Sequence, residues 1–174
     1  MEDLSIKYLE PEQYKYIENR LKQTTASRNR LIREFSAPIQ DRLEKLGFRF
    51  TIKSRTKSIH SIMTKMKKQG VEFEEVFDIF AVRIIIDSEN NNDKADCWRV
   101  YSIVTDLYQP NPSRLRDWIS VPKSNGYESL HTTVIGPRGR WVEVQIRSRR
   151  MDEIAEKGLA AHFKYKGLKG EGGL

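Results

Sequence analysis

The chain of 174 residues has the length of one globular domain, which argues against a two-domain enzyme. Its 31 Lys+Arg against 24 Asp+Glu leave a formal net charge of +7, an excess that suits polyanions such as phosphates, nucleotides or nucleic acid without choosing among them. Hydrophobic residues at 38% allow a core and argue against wholesale disorder, while the one cysteine, Cys97, rules out an intrachain disulfide framework and a cysteine-based zinc cluster.

The opening MEDLSIKYLE holds acids and no apolar stretch, and no run of about 18 apolar residues follows, so the expectation is a soluble, cytoplasmic protein with no membrane partner. Residues 11 to 46 read as one helix, with Leu31, Phe35, Ile39 and Leu43 as its apolar stripe, a kink at Pro38 and a stop at Gly47. The alternation Phe48, Phe50, Ile52 predicts a strand to Arg55. Ser54 or Thr56 then caps a helix that begins near Lys57 and ends near Gly70. Phe77 to Asp87, FDIFAVRIIID, is apolar on both faces and reads as a central strand. After a polar loop from Glu89 to Asp93, Asn92 or Asp93 caps a helix whose stripe is Cys97, Val100, Tyr101, Val104, Leu107 and Tyr108. Gln109 to Trp118 is expected to be loop. Ser129 to Ile135 and Arg140 to Ser148 are expected to be strands joined into a hairpin by Gly136-Pro137-Arg138-Gly139. Met151 to Lys166 reads as a closing helix and GLKGEGGL as a flexible end. The domain organisation expected is a helical segment over 1–47, a catalytic core over 48–166 and a tail over 167–174.

Four stretches can carry chemistry. In SRTKSIHSIMTKM, Lys57, Ser61 and Lys65 line one face of the expected helix near its N-terminus, with Arg55 at the mouth, a cradle for an oligophosphate. The same pattern also describes a solvated amphipathic helix. In the last strand Glu143, Gln145 and Arg147 share a face opposite Val142, Val144 and Ile146, which an ordinary exposed sheet face would share. Asp78 opens an apolar run and is costly there unless paired or holding a cation. Asp78 and Glu143 together could hold Mg²⁺, which takes one or two carboxylates plus phosphate oxygens. Arg83, of opposite parity to Asp78 in a regular strand, makes an Asp78–Arg83 pair a poor reading. In VPKSNGYESLHT the Asn125-Gly126 turn puts Tyr127 at an exposed corner between Lys123 and His131, where it can stack on a base or simply pack on its own hairpin. Histidines 60, 131 and 162 lack metal-ligand spacing, and neither Gly-rich phosphate loop is present.

In register and in this order, these segments resemble the synthetase domain of the RelA/SpoT family, the (p)ppGpp synthetases or GTP pyrophosphokinases. SRTKSIHSIMTKM is similar to its R-x-K-x-x-x-S-x-x-x-K element, FDIFAVRI to its D-x-x-A-x-R-I strand, and DWISVPKSNGYESLHT to its loop before the hairpin. VEVQIRS and MDEIAEKGLAAHFKYK resemble its ending. The resemblance spans about Leu4 to Lys166 and implies an α+β fold, a mixed central β-sheet flanked by helices and nucleotidyltransferase-like. It implies transfer of pyrophosphate from ATP to the 3′-hydroxyl of GTP or GDP, with Mg²⁺ as cofactor and AMP as the second product. It further implies that Arg55 and Arg83 sandwich adenine, that Lys57, Ser61 and Lys65 hold the ATP phosphates, and that Asp78 carries Mg²⁺. Glu143 is then the second carboxylate, as metal ligand or as base. Tyr127 stacks on guanine with Asn125 and Ala155 near its edge, while Lys123, His131, Gln145 and Arg147 bind the guanosine nucleotide.

The sequence departs from the family pattern at Trp118, Ser124, Glu128, Ser148, Asp152 and Phe163, of which Asp152, standing where His is usual, lies nearest the guanosine site. Arg114-Leu115-Arg116-Asp117 resembles the basic loop of bifunctional members. The family's hydrolase and C-terminal regulatory domains belong to the full-length protein from which this chain is expected to be cut. No nucleic-acid partner is expected for it. The competing reading is a basic RNA- or nucleotide-binding module without catalysis.

Overall fold

A computed structural model describes residues 11–73, 80–89 and 91–158. Helices α1 (Pro11–Gln23) and α2 (Thr25–Lys45) lead into strand β1 (Phe50–Thr56) and helix α3 (Ile59–Gln69). Strand β2 (Phe80–Ile86) and helix α4 (Asp93–Leu107) precede the short β3 (Arg116–Asp117), β4 (Leu130–Ile135) and β5 (Trp141–Ser148), and helix α5 occupies 149–158. The five strands form one sheet in the order β1-β2-β5-β4-β3. Only β2 and β5 run parallel, so the sheet is mixed, as expected. No described helix is long and apolar enough to cross a membrane.

Strand alternation divides the sheet into an apolar and a polar face. Val82, Ile84 and Ile86 of β2, Val142, Val144 and Ile146 of β5 and Leu130 and Val134 of β4 are buried on one side. They pack there with Phe35, Ile39 and Leu43 of α2 and Cys97, Val100 and Val104 of α4. Those helical residues are the stripes legible from their three- and four-residue spacing. A second, smaller cluster joins Ile17 of α1 to Ile59, Ile62 and Met63 of α3 and to Phe73. The partly buried Phe80, at the start of β2, packs against both.

Three expectations are corrected. The helix over 11–46 is two helices, and the break falls at Thr24, whose hydroxyl bonds back to the Arg20 carbonyl at 2.7 Å, while Thr25 does the same to Leu21 at 2.8 Å. Such back-bonding competes with the helix ladder. Pro38 lies inside α2, which runs on to Lys45 and ends where Gly47 takes the left-handed φ of +79°, the stop expected there. Next, α3 is capped by Ser58, whose hydroxyl accepts from the Ser61 N–H, not by Ser54 or Thr56. Lys57 therefore precedes the helix and does not share a face of it with Ser61 and Lys65. Finally, Gln109–Trp118 is more than loop: Pro110 bridges Val134, and β3 adds a fifth strand beside β4. The hairpin forms as expected, its turn holding Arg138 and Gly139 at φ +62° and +70°.

Candidate active site

The strand register gathers the polar side chains. Lys53 opposes Arg83, Arg83 opposes Gln145, Gln145 opposes His131 and His131 opposes Arg116, so each of the five strands contributes one residue to a single line across the sheet. In the next line Arg55 opposes Ala81, Ala81 opposes Glu143 and Glu143 opposes Thr133. All of these project from the face opposite the main core. Beside them opens a cleft of about 420 Å³ lined by Lys57, Ser113, Arg114, Arg116, His131, Thr132, Thr133 and Glu143.

The side chains are joined into one chain of contacts. Lys57 Nζ lies 3.3 Å from Glu143 Oε2, and Gln145 Nε2 donates to Glu143 Oε1 at 3.2 Å. Gln145 Oε1 accepts from Arg83 Nε at 3.3 Å and from Arg147 Nη2 at 2.9 Å. Arg147 Nη2 also donates to the Tyr127 hydroxyl at 2.9 Å, and that hydroxyl lies 2.8 Å from His131 Nε2. Burial, then the cations of Arg147, Lys123 and Lys57, hold His131 down at about 4 against the pull of Glu143, so its ring is neutral at pH 7. A tyrosine hydroxyl that accepts from Arg147 has its own proton left to give, and Nε2 takes it. The imidazole proton is thereby placed on Nδ1, the nitrogen 3.9 Å from Glu143 Oε1.

The structure brings Lys57, Arg83, Tyr127, His131, Glu143, Gln145 and Arg147 into this one network. Ala155, buried on α5, sits on the helix whose Asp152 meets Arg83 and Arg147. Arg55 is exposed on the edge strand, on the same face. Ser61, bonded to Ser58, and Lys65 lie on α3, outside the cleft lining. Lys123 covers the rings of Trp118 and Tyr127 at 4.7 and 5.4 Å, and Asn125 closes the turn by accepting from the Tyr127 N–H. Tyr127 is not at an exposed corner as expected. Its hydroxyl is drawn down to His131 and Arg147, leaving the ring half-buried over the site. Asp78 lies outside the described residues.

Sequence reasoning did not assign Lys53, Ser113, Arg114, Arg116 or Thr133 to the site. Lys53 had a signal in its two-residue spacing from Arg55. Arg114 and Arg116 had one in the likeness of Arg114-Leu115-Arg116-Asp117 to the family's basic loop, but the place of Arg116 in the line across the sheet depends on the pairing of β3 with β4. Of the described side chains lining the cleft, Glu143 is the only carboxylate, and among the described residues no three His, Cys, Asp or Glu gather as a metal cage. One or two carboxylates among cations nevertheless suit Mg²⁺, which completes its shell from water and substrate phosphates.

Residues 54–170 match the sequence pattern described as the region found in RelA / SpoT proteins. The chain is 39% identical over 173 residues to a guanosine-3′,5′-bis(diphosphate) 3′-pyrophosphohydrolase of Vibrio cholerae, covering 99% of this chain and 24% of that protein. It is 38% identical over 166 residues to a GTP pyrophosphokinase of Myxococcus xanthus, covering 95% of this chain and 21% of that one. It thus spans less than a quarter of the length of these relatives. The fold resembles the crystal structure of small alarmone synthetase 2 of Bacillus subtilis, with a TM-score of 0.63 at 27% identity over 86% of this chain and 82% of that one. With well over half of its residues inside the matched region and a mixed sheet like that of an alarmone synthetase, the chain belongs to the RelA/SpoT family.

Proposed function

We propose that the chain transfers pyrophosphate from ATP to the 3′-hydroxyl of GTP or GDP. The 3′-oxygen attacks the β-phosphorus of ATP, the bond from that phosphorus to the α-bridging oxygen breaks, and AMP leaves. The hydroxyl proton passes to a base, and the product is a guanosine 3′-diphosphate, (p)ppGpp. The observation that carries this reading is the juxtaposition of Lys57 and Glu143 at 3.3 Å beside the network of Arg83, Gln145, Arg147, Tyr127 and His131. Cations from the proposed ATP side and an aromatic ring from the proposed guanosine side thus meet at one carboxylate.

Phosphoryl-type transfer requires positioning and charge neutralisation more than covalent chemistry. Arg55 and Arg83 are assigned to adenine, and Lys57, Ser61 and Lys65 to the ATP phosphates. Tyr127 is assigned to guanine, with Asn125 and Ala155 at its edge, and Lys123, His131, Gln145 and Arg147 to the rest of the guanosine nucleotide. Asp78 and Glu143 would hold Mg²⁺, which would supply positive charge to neutralise what develops on the transferring phosphates. Glu143 serves as that ligand or as the base for the 3′-hydroxyl. The cytoplasmic setting and the hydrolase and regulatory domains of the full-length protein belong to the same proposal.

Incubation with ATP, Mg²⁺ and GDP or GTP tests the reading. AMP and a guanosine tetra- or pentaphosphate should appear in equal amounts. Release of pyrophosphate from added ppGpp, with no transfer from ATP, would instead favour hydrolysis. Retention of RNA with a steep salt slope and no product would favour the binding module.

A further inference from the structure

Two guanidinium groups on neighbouring strands share one carboxylate. Arg83 on β2 opposes Gln145 on the parallel strand β5, and Arg147 follows two residues later on the same face. Asp152, in the first turns of α5, lies 3.3 Å from Arg147 Nη1 and 3.6 Å from Arg83 Nη1. The arrangement is tight: the Arg147 side chain is 3% exposed and those of Asp152 and Arg83 are 17% and 20%. Two desolvated like charges so placed repel one another unless an anion sits between them.

The two arginines are not held alike. Arg147 is fully committed inside the protein, with Nη1 on Asp152 and Nη2 on both Gln145 and Tyr127, and its buried Nε has no hydrogen-bond partner among the described residues. Burial lowers its pKa, a sign of how much it depends on a counter-charge. Arg83 has an alternative, since Glu156 Oε1 stands 3.8 Å away on the exposed side of α5. Of the two, Arg83 can leave Asp152 at lower cost, and Arg147 is the group that fixes the hydroxyl of Tyr127.

We propose that Asp152 is a positioning residue that couples the two nucleotide subsites. In the empty cleft its carboxylate is divided between Arg83 and Arg147. When ATP draws Arg83 away, the carboxylate turns wholly to Arg147, which then holds Tyr127 in place for guanine. ATP thereby tightens binding of the guanosine nucleotide, and the guanosine nucleotide tightens binding of ATP by the same factor. This rests on the assignment above of Arg83 to ATP and of Tyr127 to guanine.

The test is calorimetric titration with GDP, with and without Mg²⁺ and an ATP analogue whose α,β-bridge is methylene, so that no transfer occurs. In the wild-type chain the analogue should tighten GDP binding by about tenfold, within the usual range of site-to-site coupling. Asp152→Asn should bring that factor close to one, and Asp152→Glu should restore it. Arg83→Gln approaches the bridge from its other end and does not depend on Asp152→Asn folding well. With Arg83 gone, Asp152 belongs to Arg147 at all times, so GDP should bind the variant more tightly than it binds the wild type without ATP. Simple loss of a cation predicts the reverse. Equal GDP affinity with and without the analogue in the wild type, unchanged coupling in Asp152→Asn, or weaker GDP binding in Arg83→Gln would each overturn the proposal. Product formation is read separately. Coupled binding without transfer removes the proposed reaction and keeps the coupling, transfer without coupling does the opposite, and a wild-type chain that binds neither nucleotide removes both.

Discussion

Glu143 is 12% exposed, contacts Lys57 and Gln145, lines the cleft and is proposed as metal ligand or base. Replacing it by Gln keeps shape and removes charge, so kcat should fall by about 100- to 10,000-fold, the usual span for a lost acid–base group, with the fold intact by circular dichroism. Partial recovery at raised Mg²⁺ would mark it as a ligand, and a changed pH–rate profile as the base. At the other extreme of chemistry is Cys97, fully buried in α4, whose thiol burial pushes up to about 12 from 9.0. A thiol pKa raised by folding leaves stability untouched up to about pH 9 and erodes it as pH climbs from there toward 12, because the unfolded chain ionises first. Alkylation at pH 8 should therefore be at least about 1,000-fold slower in the native chain than in urea. A native rate close to the denatured one would contradict this burial. The role of Cys97 as a small core residue was legible from its place in an apolar stripe. The neutral state of His131 was not, since it follows from burial and from three cations on separate segments.

Most elements announce themselves through periodicity, and their ends follow side-chain chemistry that periodicity does not register. The stripe Leu31, Phe35, Ile39, Leu43 locates α2, yet the break at Thr24 comes from hydroxyls bonding back to Arg20 and Leu21. The departures Glu128 and Ser148 show the same limit. Glu128 is buried because Arg150 donates to it at 2.8 Å and to Asp93 at 2.7 Å, and Ser148 donates to Asp93 at 3.2 Å. That cluster ties the start of α4 to the end of β5, a contact across more than fifty residues of sequence that no local spacing encodes. Two glycines make the element-level reading testable. A Cβ on Gly136 would meet Val142 Cγ2 at 3.0 Å, Phe35 Cδ2 at 3.2 Å and the Arg140 carbonyl at 3.3 Å. The carbonyl belongs to the hairpin turn and cannot step aside, so Gly136→Ala should cost about 1–3 kcal/mol in urea unfolding. Gly158, the last described residue of α5, would meet nothing within 4 Å among the described residues, and Gly158→Ala should add up to about 1 kcal/mol.

At the scale of the whole molecule the site draws on two apolar clusters that share a contact at Phe80. The assigned guanosine residues lie on β4, β5 and the loop before β4, on the sheet that covers the main core, with Ala155 on α5. Ser61 and Lys65 of the assigned ATP set ride on α3, and Lys57 immediately precedes its cap. The buried side of α3, Ile59, Ile62 and Met63, packs with Ile17 and Phe73 in the smaller cluster. Small clusters open at lower free energy than large cores. Ile17→Ala leaves a cavity in that cluster at a cost of about 2–5 kcal/mol and should act locally. Amide exchange in α1 and α3 should accelerate while β2 and β5 stay protected, and KM for ATP should rise several-fold more than KM for GDP. Ile84→Ala, made in the main core at similar apolar loss, should instead speed exchange throughout and lower Tm with no preference between the substrates. The contrast removes general destabilisation as an explanation, because both variants lose the same side-chain atoms from fully buried sites. If the two variants shift ATP and GDP alike, the small cluster does not govern the ATP side and the site stands on one cooperative core.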